Sequence, residues 1–535
     1  MAIPIGTSSY AIDFGTSNTV VTRWNPVTQQ PETISLPGLS VQTSQNPPLI
    51  PSLVYVEDAS RSQVVVGQAV RDRGLDLSND PRFFRSFKRG IGTDIQAFLP
   101  ELDGQIVSFA QVGGWFLKQV ISQLQADSVQ SLVLTVPVDS FEPYRHWLGQ
   151  MCQSLPVEQV RILDEPTAAA LGYGMAAQEN LLVIDFGGGT LDLSLVRLEG
   201  GVQAGKKPLG FILKWGEKAI TKSSQKTKIA RVLAKAGQNL GGSDIDHWIV
   251  DRLADTQGLA VTPLTIRLAE RLKIQLSSQT KAQEVYFNDE TFESYELELD
   301  RDTLENILRE QQFFTLLDDT MTQLLQQARR QGLEVADIDA VLLVGGTVQM
   351  PAVQTWVQQY FDSAKIRCER PFEAVAQGAL QLNQGIELQD FLYHSYGIRY
   401  WDRRHNRHNW HPIIKAGQAY PMSEPVELVL GASVENQPSI ELIVGELGTE
   451  TGSVEVYFDG DRLMTRQQDR QTQIQPLNDR DGARTIAQLT PSGYPGSDRI
   501  KLLFQVDRQR CLRLTVEDLL TNQTLLENQV VAELS

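Results

Sequence analysis

The stretch Leu182–Ser194 reads LVIDFGGGTLDLS, and it repeats an earlier stretch, Tyr10–Thr22, which reads YAIDFGTSNTVVT. Each copy predicts a strand that ends in Asp and Phe, then a turn rich in glycine or threonine, then a second strand. Glycine permits a close approach of the backbone, so successive N–H groups of such a turn can point at one anion. Two copies facing each other across a cleft predict a phosphate site between two similar α/β lobes. Two ordinary glycine hairpins are the alternative.

The side chains beside these turns suit phosphate chemistry. Asp13 and Asp185 come just before the turns, where a carboxylate can hold a hydrated metal ion. Thr16 and Thr190 offer hydroxyl groups to phosphate oxygens. The chain has neither a GxxxxGK[ST] loop nor a GxGxxG fingerprint. We therefore do not expect one helix N-terminus to hold the phosphate.

Two further segments add candidate residues near glycine or proline. Pro166 begins a predicted helix, and Glu165 lies just outside it, where the positive helix end favours a carboxylate. Gly345 and Gly346 follow a predicted buried strand. Because they have no side chain, they leave room for a flat base or a ribose.

A polar stripe marks a predicted helix over Thr262–Ser278. Glu270, Lys273 and Ser277 follow one another at helical spacing, opposite a row of leucines. The stripe is either part of the site or an ordinary solvated surface, and spacing alone does not decide between them.

Composition excludes several classes of protein. The chain has 535 residues and a formal charge of −17, which argues against a general nucleic-acid binder. No apolar run approaches the ~18 residues of a membrane helix, and the N-terminus does not resemble a signal peptide. The three cysteines, Cys152, Cys368 and Cys511, fit neither a disulfide framework nor metal spacing. We therefore expect a cytoplasmic protein.

Four motifs stand out along the chain: IDFGTSN (Ile12–Asn18), ILDEPTAAALGYG (Ile162–Gly174), DFGGGTLD (Asp185–Asp192) and NLGGSDID (Asn239–Asp246). Together they resemble the nucleotide-binding domain of the heat-shock protein 70 chaperone family, within the actin-like ATPase superfamily. The resemblance covers roughly Tyr10 to Gln384. It implies a two-lobed α/β ATPase domain with duplicated ribonuclease-H-like halves.

The resemblance implies that the chain binds ATP or ADP, Mg²⁺ and K⁺. By analogy, Asp13 and Asp185 hold Mg²⁺ through its water shell or position the attacking water, and Glu165 and Asp192 support this network. The other implied nucleotide contacts are Gly15, Thr16, Ser17, Gly187, Gly188, Gly189 and Thr190 at the phosphates, Glu270, Lys273 and Ser277 at the adenosine, Gly345 and Gly346 at the base, and Gly241, Gly242 and Thr347 nearby.

Three departures from the family pattern stand out. Arg71 occupies a position in Val66-Gly-Gln-x-x-Arg where the family usually has a lysine, and we expect that lysine to reach the γ-phosphate. A planar guanidinium does not imitate a compact ammonium, so we expect ATP to bind and hydrolysis to be slow. In addition, Gln349 replaces an Arg that stacks on adenine, and Phe372 replaces an Asp.

A basic insert spans Lys206–Lys235, where the family has a shorter hairpin. It carries nine Lys and Arg residues against the single acid Glu217. A solvated loop is one interpretation. A docking patch for an acidic partner, an anionic membrane surface or RNA is the other.

Beyond Gln384 the pattern changes to strands and turns. We divide the chain into an ATPase domain (1–385), a short linker (386–394) and a β-sandwich domain (395–535) that resembles the family's substrate-binding domain. Since the chain stops at Ser535, we expect no helical lid over the peptide cleft. Alternating residues predict strands at Val426–Leu430, Ile440–Val444, Ser453–Phe458, Arg499–Val506 and Cys511–Val516.

The resulting hypothesis is a lidless, monomeric ATP-hydrolysing chaperone. The resemblance implies extended client peptides as ligands, and a J-domain co-chaperone and a nucleotide-exchange factor as partners. The alternatives are a non-hydrolysing nucleotide-dependent scaffold or sensor and a filament-forming actin relative, which the C-terminal strands disfavour. His405, His408 and His411 form either a metal site, an exposed polar loop or a contact for acidic peptides.

Overall fold

The structure, a computed structural model, describes most of the chain. All structural statements below concern these residues. They are 9–43, 46–91, 99–124, 129–138, 141–152, 155, 157–175, 179–198, 211–215, 218–219, 230–288, 291–381, 392, 395–402, 407–415, 418, 420–422, 424–447, 454–459, 462–467, 474–479, 485–507 and 510–534.

The first part of the described chain mixes strands and helices, as predicted. In chain order its elements are β1 (Ser9–Phe14), β2 (Asn18–Asn25), β3 (Gln30–Thr33), β4 (Ile50–Pro51), β5 (Val54–Asp58), β6 (Gln63–Val66), α1 (Gln68–Asp72), β7 (Phe83–Phe84), β8 (Glu101–Leu102), β9 (Gln105–Ile106), α2 (Phe109–Ser122), β10 (Val129–Val136), α3 (Phe141–Cys152), β11 (Val157–Asp164), α4 (Glu165–Gly172), β12 (Asn180–Phe186), β13 (Leu191–Leu198), β14 (Phe211–Trp215), β15 (Lys218–Ala219), β16 (Ala230–Gln238), α5 (Gly242–Gln257), α6 (Pro263–Ser278), β17 (Lys281–Asn288), β18 (Glu293–Asp300), α7 (Arg301–Glu310), α8 (Phe313–Arg330), β19 (Ala340–Val344), α9 (Pro351–Gln358), β20 (Ile366–Arg367) and α10 (Ala374–Gln381).

Two sheets organise this part. The first has the strand order β15-β14-β11-β10-β1-β2-β3, with β4 also on β2, and the second has the order β16-β13-β12-β19-β20. In each, a strand pairs antiparallel with its hairpin partner and parallel with its other neighbour: β1 with β2 and β10, and β12 with β13 and β19. The two repeated motifs therefore occupy equivalent hairpins. We call the parts built on these sheets the first lobe and the second lobe.

A layer of small residues joins the lobes. It holds α4 and α10 between strands of both sheets, and its buried side chains form one apolar cluster. The two helices touch at glycines, since a Cβ atom on Gly172 or Gly378 would lie 1.9 Å from the carbonyl oxygen of Ala374 or Ala168. Helix α10 also binds the N-terminal hairpin, because Thr22 Oγ1 donates to the Ala376 carbonyl at 3.0 Å.

The predicted helix at Thr262–Ser278 is confirmed as α6. Thr262 caps it by accepting a hydrogen bond from the Thr265 N–H, and Pro263 stands in the first turn. Leu268, Leu272 and Leu276 are buried in the core of the second lobe. Apolar residues at this spacing fix which face of α6 points away from the core.

The C-terminal part consists of strands. They are β21 (Ser395–Asp402), β22 (Arg407–Ile414), β23 (Val426–Gly431), β24 (Gln437–Leu442), β25 (Val444–Leu447), β26 (Val454–Asp459), β27 (Arg462–Gln467), β28 (Ile474–Pro476), β29 (Thr485–Gly493), β30 (Asp498–Val506), β31 (Cys511–Asp518) and β32 (Gln523–Glu533).

Two four-stranded sheets dominate this part, with the orders β22-β21-β25-β28 and β23-β30-β31-β32. Their buried side chains form one core. Four of the five predicted strands are single strands, whereas Ile440–Val444 is divided. The chain changes sheets there, because β24 pairs with β29 and β25 pairs with β21. The buried Asn478 side chain fixes this corner by bonding both Leu442 O and Val444 N, at 3.0 and 2.8 Å.

Some predicted segments lie mostly outside the described residues. Of the predicted linker, only Leu392 is described; it is buried in the C-terminal core, and its N–H donates to the Gln418 carbonyl at 2.8 Å. Of the basic insert, 211–215, 218–219 and 230–235 are described. His405 is not described, and His408 and His411 lie on β22.

Candidate functional site

The two repeated turns lie in direct contact. A Cβ atom on Gly188 would lie 1.9 Å from Ser17 Oγ, and one on Gly189 would lie 2.6 Å from Thr16 Oγ1. Since no other residue lacks a Cβ, only glycine permits this approach. The predicted phosphate turns of both lobes, which include Gly15 and Thr190, therefore meet at one place.

The second turn is held from behind by the start of α5 and by the Gly345 segment. Gly242 N donates to Gly187 O at 3.0 Å, and Ser243 N donates to Gly188 O at 2.9 Å. Thr347 Oγ1 donates to the same Gly187 carbonyl at 2.8 Å. Both carbonyls are thus bonded within the protein, and the Gly187 N–H donates to the Thr190 carbonyl at 3.1 Å, so the N–H groups of Gly188 and Gly189 are the ones that remain for an anion.

Gly241 and Gly345 are required for this packing. A Cβ atom at either position would lie 2.4 Å from backbone atoms of the second turn or of Phe186 before it, and Gly345 has a φ of 86°. Gly346 is different, because its bare face is covered by the Phe372 ring, 3.0 Å from where a Cβ would stand. Glycine at position 346 therefore has two possible reasons: it leaves room for a base, as the sequence analysis expected, or it leaves room for the Phe372 ring.

Carboxylates converge behind the turns. Asp13 is the next-to-last residue of β1, Asp185 is the next-to-last residue of the equivalent strand β12, and Asp192 is the cross-strand neighbour of Asp185. Thr135 Oγ1 donates to Asp13 Oδ1 at 2.7 Å. Burial, and then the negative charge of Glu165, raise the pKa of Asp13 to about 6. Burial and these neighbouring carboxylates also raise the pKa of Asp185 well above its usual value.

Glu165 is brought into this group by α4. The structure makes it the first residue of the helix rather than the residue before it, while Asp164 caps the helix by accepting from Thr167 N. A small cavity of about 10 Å³ is lined by Glu165, Asp185 and Asp192. Three sequence-predicted carboxylates therefore share one space.

Sequence reasoning missed Lys88, which supplies the positive charge here. Its Nζ lies 3.1 Å from Glu165 Oε1, and both side chains are nearly buried. The ammonium also stands 5.7 Å from the Phe14 ring, and the Tyr144 hydroxyl donates to the Lys88 carbonyl at 2.8 Å. Burial lowers the pKa of Lys88, but Glu165 and the other acidic groups outweigh it and raise the pKa, so the lysine stays charged.

Arg71 lines the cavity between the lobes together with the predicted phosphate contacts Thr16 and Ser17. Its guanidinium pairs with Glu270 at 2.9 Å and reaches Asp76 at 4.0 Å, at the rim of the cleft. Helix α1 carries Arg71 towards α6, whereas Lys88 lies on a 3₁₀ turn, Phe87–Gly90, beneath the carboxylates. The sequence signal that could have identified Lys88 was the pair Lys88-Arg89, which follows shortly after the aromatic strand β7.

Arg89 was also missed, and it links the first lobe to the second turn. Its guanidinium donates to the Gly189 carbonyl and binds the Asp244 carboxylate at 2.6 Å, with only 6% of the side chain exposed. Asp244 in turn accepts from Gly241 N at 2.7 Å. The position of the second turn therefore depends on both lobes.

The polar stripe of α6 faces the cleft. Lys273 Nζ binds Asp246 at 2.7 Å and donates to Gly242 O at 2.7 Å, which ties α6 to the start of α5. Burial, followed by the charge of Glu270, raises the pKa of Asp246 to about 7. Ser277 Oγ donates to Lys273 O at 3.4 Å. The stripe is thus not a freely solvated surface.

A cavity of about 60 Å³ opens between the lobes. Its lining includes Thr16, Ser17 and Arg71 of the first lobe and Ser243, Asp246 and Glu270 of the second. Residues that the sequence analysis assigned to the phosphates and to the adenosine therefore line one cavity.

The family model described as "Hsp70 protein" matches residues 101–206 and 227–400, which is more than half of the chain. The chain belongs to the Hsp70 family. As a family, Hsp70 proteins are ATP-binding chaperones and ATPases that bind ATP or ADP with Mg²⁺ and act with client peptides and co-chaperones. The match omits 207–226, which lies inside the basic insert of this Hsp70 protein. Within its described residues, no helix is long and apolar enough to cross a membrane.

Proposed function

We infer that this chain binds and hydrolyses ATP between its two lobes and couples the reaction to the binding and release of extended peptide segments. The observation that carries this function is the contact between the two glycine turns, directly in front of buried carboxylates and one charged lysine. In phosphoryl transfer, the protein chiefly positions the groups and neutralises their charge. The residues here suit both tasks.

The phosphates are assigned to the two turns. Backbone N–H groups of Gly15, Gly188 and Gly189 would cradle them, and the hydroxyls of Thr16, Ser17 and Thr190 would donate to their oxygens. Gly187 would join them only if its N–H exchanged the Thr190 carbonyl for a phosphate oxygen. The adenosine is assigned to Glu270, Lys273 and Ser277, with Gly345, Gly346 and Thr347 on the far side and Gly241 and Gly242 behind the phosphates.

Mg²⁺ fits the carboxylates on two grounds. Their oxygens are the ligands that this hard cation prefers. Burial, and then the charges of the neighbouring carboxylates, raise the pKa values of Asp13 and Asp185, and a divalent cation would lower them again. No set of three such side chains in the described part of the chain is close enough to bind one ion directly. Asp13 and Asp185 would therefore hold Mg²⁺ through its waters, where it would neutralise phosphate charge. K⁺ near the phosphates is part of the same proposal.

The chemical step is assigned to Lys88, Glu165 and the aspartates. The Lys88 ammonium is placed to neutralise charge that develops on the transferred phosphoryl group. Glu165, Asp185 and Asp192 are placed to accept hydrogen bonds from the attacking water. Arg71, which lies at the rim of the cleft, remains proposed to act on the γ-phosphate in place of the family's lysine, so slow hydrolysis remains a prediction.

We assign peptide binding to the C-terminal β region, as a β sandwich over 395–535, with 1–385 as the two-lobed actin-like ATPase and 386–394 as the linker. Movement of the lobes would bias the linker and hence the β domain, which is coupling between two sites. A J-domain protein and a nucleotide-exchange factor would be partners. Free thiols at all three cysteines agree with the proposed cytoplasmic location.

The deciding experiment measures peptide affinity with and without ATP. A fluorescent apolar peptide should dissociate faster when ATP and Mg²⁺ are present, and Lys88→Ala should retain the ATP effect on binding while losing turnover. If ATP leaves peptide affinity unchanged, the chaperone cycle is excluded even if ATP is hydrolysed. The non-hydrolysing scaffold would show ATP binding and no turnover at all.

A further inference from the structure

Two aromatic rings lie beside the Lys88 ammonium. Lys88 Nζ is 5.7 Å from the centre of the Phe14 ring and 5.9 Å from the centre of the Tyr144 ring. Both distances are within the ~6 Å at which the face of an aromatic ring attracts a cation. Phe14 and Tyr144 are each only 3% exposed, so little water screens this attraction. We call Phe14 and Tyr144 the ring pair.

The same ammonium has few hydrogen-bond acceptors. An ammonium group carries three N–H donors. Among the residues that the structure describes, Lys88 Nζ donates to a single acceptor, Glu165 Oε1, at 3.1 Å. A buried charge with so few partners is costly unless another group stabilises it. The ring pair attracts the charge without an acceptor atom, so two of the donors remain for a ligand.

The ring pair is itself fixed by aromatic neighbours. The Tyr144 hydroxyl donates to the Lys88 carbonyl at 2.8 Å, and the Tyr144 ring packs edge-on against Trp147, with the ring centres 5.7 Å apart. The Phe14 ring packs against Phe116 and Trp147, with ring centres 5.7 and 6.1 Å apart. Both rings therefore contact the same tryptophan. Tyr144 holds the backbone of Lys88 through its hydroxyl and contacts the ammonium through its ring.

This arrangement places the ammonium next to the proposed site. Phe14 is the last residue of β1 and directly follows Asp13, whereas Tyr144 lies on α3. A lysine side chain is long and flexible, so one hydrogen bond to Glu165 leaves its ammonium several positions. The two rings restrict these positions. Such a restriction matters for catalysis, because a misplacement of about 1 Å in a reactive group can cost about 100-fold in rate.

We propose that Phe14 and Tyr144 are positioning residues for Lys88, whose rings hold the ammonium beside Glu165 and leave two of its N–H groups for the transferred phosphoryl group. The attraction between the rings and the ammonium does not depend on the proposed function. Its consequence for phosphoryl transfer rests on the proposed function. The two parts are therefore tested by separate measurements.

Amide exchange of the full chain without nucleotide measures the attraction. The slowest amides of β10 report the opening of the first lobe, because this strand lies in its core. The proteins compared are the wild type, Tyr144→Leu, Lys88→Met and the double variant. If the ring attracts the ammonium, the protection lost through Tyr144→Leu should be about five- to thirty-fold smaller in the Lys88→Met background.

Tyr144→Phe combined with Lys88→Met is the matched control. It keeps the ring and removes the hydroxyl, whose acceptor is the backbone carbonyl of Lys88 and is therefore present in both backgrounds. The effects of these two changes should be additive to within about two-fold. Additive effects of Tyr144→Leu and Lys88→Met would overturn the proposal, as would an equal deviation from additivity in the control.

Single-turnover ATP hydrolysis measures the positioning. Tyr144→Leu should lower the rate about ten-fold and leave the ATP affinity within about two-fold of the wild type, because the lysine acts on charge that develops during transfer. Tyr144→Phe should restore most of the rate. An unchanged rate in Tyr144→Leu would refute the positioning part. If the wild type neither binds nor hydrolyses ATP, the proposed function fails together with this part, while amide exchange still decides on the attraction.

A fluorinated series at Phe14 decides the matter if Tyr144→Leu does not fold. Phenylalanine with an increasing number of ring fluorines keeps nearly the same shape, but each fluorine withdraws negative charge from the ring face. The hydrolysis rate should fall with each added fluorine. The protection of β10 should also fall, but only while Lys88 is present and not in the Lys88→Met background. Values that do not change along the series would overturn the proposal.

Discussion

At the scale of single residues, Lys88 is the charge on which the proposed chemistry depends. Replacing it by alanine leaves Glu165 without its partner at 3.1 Å. We expect Lys88→Ala to reduce single-turnover ATP hydrolysis by about 100-fold, the usual loss for one preorganised electrostatic group. Arg309→Ala, which also removes one cation but from an exposed ion pair with Glu305, is the control and should hydrolyse at close to the wild-type rate. Equal rates for Lys88→Ala and the wild type would remove Lys88 from the mechanism.

The buried Asp13 predicts how the free energy of unfolding changes with pH. Its pKa is about 6 in the folded chain against 3.8 as the ordinary value, so the folded protein binds the proton more tightly. The resulting stabilisation is complete below about pH 4 and is lost as the pH rises through 6. Without nucleotide and Mg²⁺, the wild type should therefore gain about 1 kcal/mol more than Asp13→Asn between pH 7 and pH 5. Denaturant titrations at both pH values measure this, and parallel behaviour of the two proteins would contradict it.

At the scale of elements, the contact between α4 and α10 excludes any added side chain. A Cβ on Gly378 would meet the Ala168 carbonyl at 1.9 Å. We expect Gly378→Ala to destabilise the chain by about 3 kcal/mol and to lower the midpoint of thermal unfolding. Gly114→Ala, in helix α2 with open space around it, is the control and should be neutral or slightly stabilising. Similar midpoints for both variants would show that the helices can separate at no cost.

How far the sequence predicts these elements depends on whether the signal is local. Helix α6 and the two glycine hairpins were predictable, because capping residues, leucine spacing and glycine turns act within a few residues. The division of Ile440–Val444 was not, because it depends on Asn478, which lies 34 residues beyond Val444. The ion pair between Arg71 and Glu270 was not predictable either. A sequence motif gives the position of Arg71 in the chain but not its partner in space. Nor did any sequence pattern predict that β14, which follows β13 of the second lobe, pairs with β11 of the first lobe.

At the scale of the whole molecule, two ion pairs close the rim of the cleft. Arg71 reaches Glu270 at 2.9 Å, and Arg267 reaches Asp76 at 3.2 Å, each across the lobes. Arg71 and Glu270 are both partly exposed, so their pair is expected to contribute at most about 1 kcal/mol, whereas Arg267 binds the buried Asp76. Arg71→Ala/Arg267→Ala should therefore release ADP about five- to twenty-fold faster in stopped-flow measurements.

Ionic strength provides a control for the two ion pairs at the rim of the cleft. Raised ionic strength screens exposed charges, so it should accelerate ADP release from the wild type and have little effect on the double variant. Arg309→Ala removes an exposed ion pair with Glu305 far from the cleft and should change neither rate. A double variant with the wild-type rate would show that other contacts, such as Arg89 with Asp244, hold the lobes together.

The bond between Thr22 and Ala376 bears on how the chain is made. These residues are 354 positions apart, yet α10 closes the layer against which the first hairpin packs. A ribosome that adds ~5–20 residues per second needs roughly 20–70 seconds to cover that distance. During this interval the face of β1 and β2 that α10 covers has no partner from its own chain. The N-terminal hairpin of this chaperone relative is therefore itself an exposed apolar segment of the kind that other chaperones bind during synthesis.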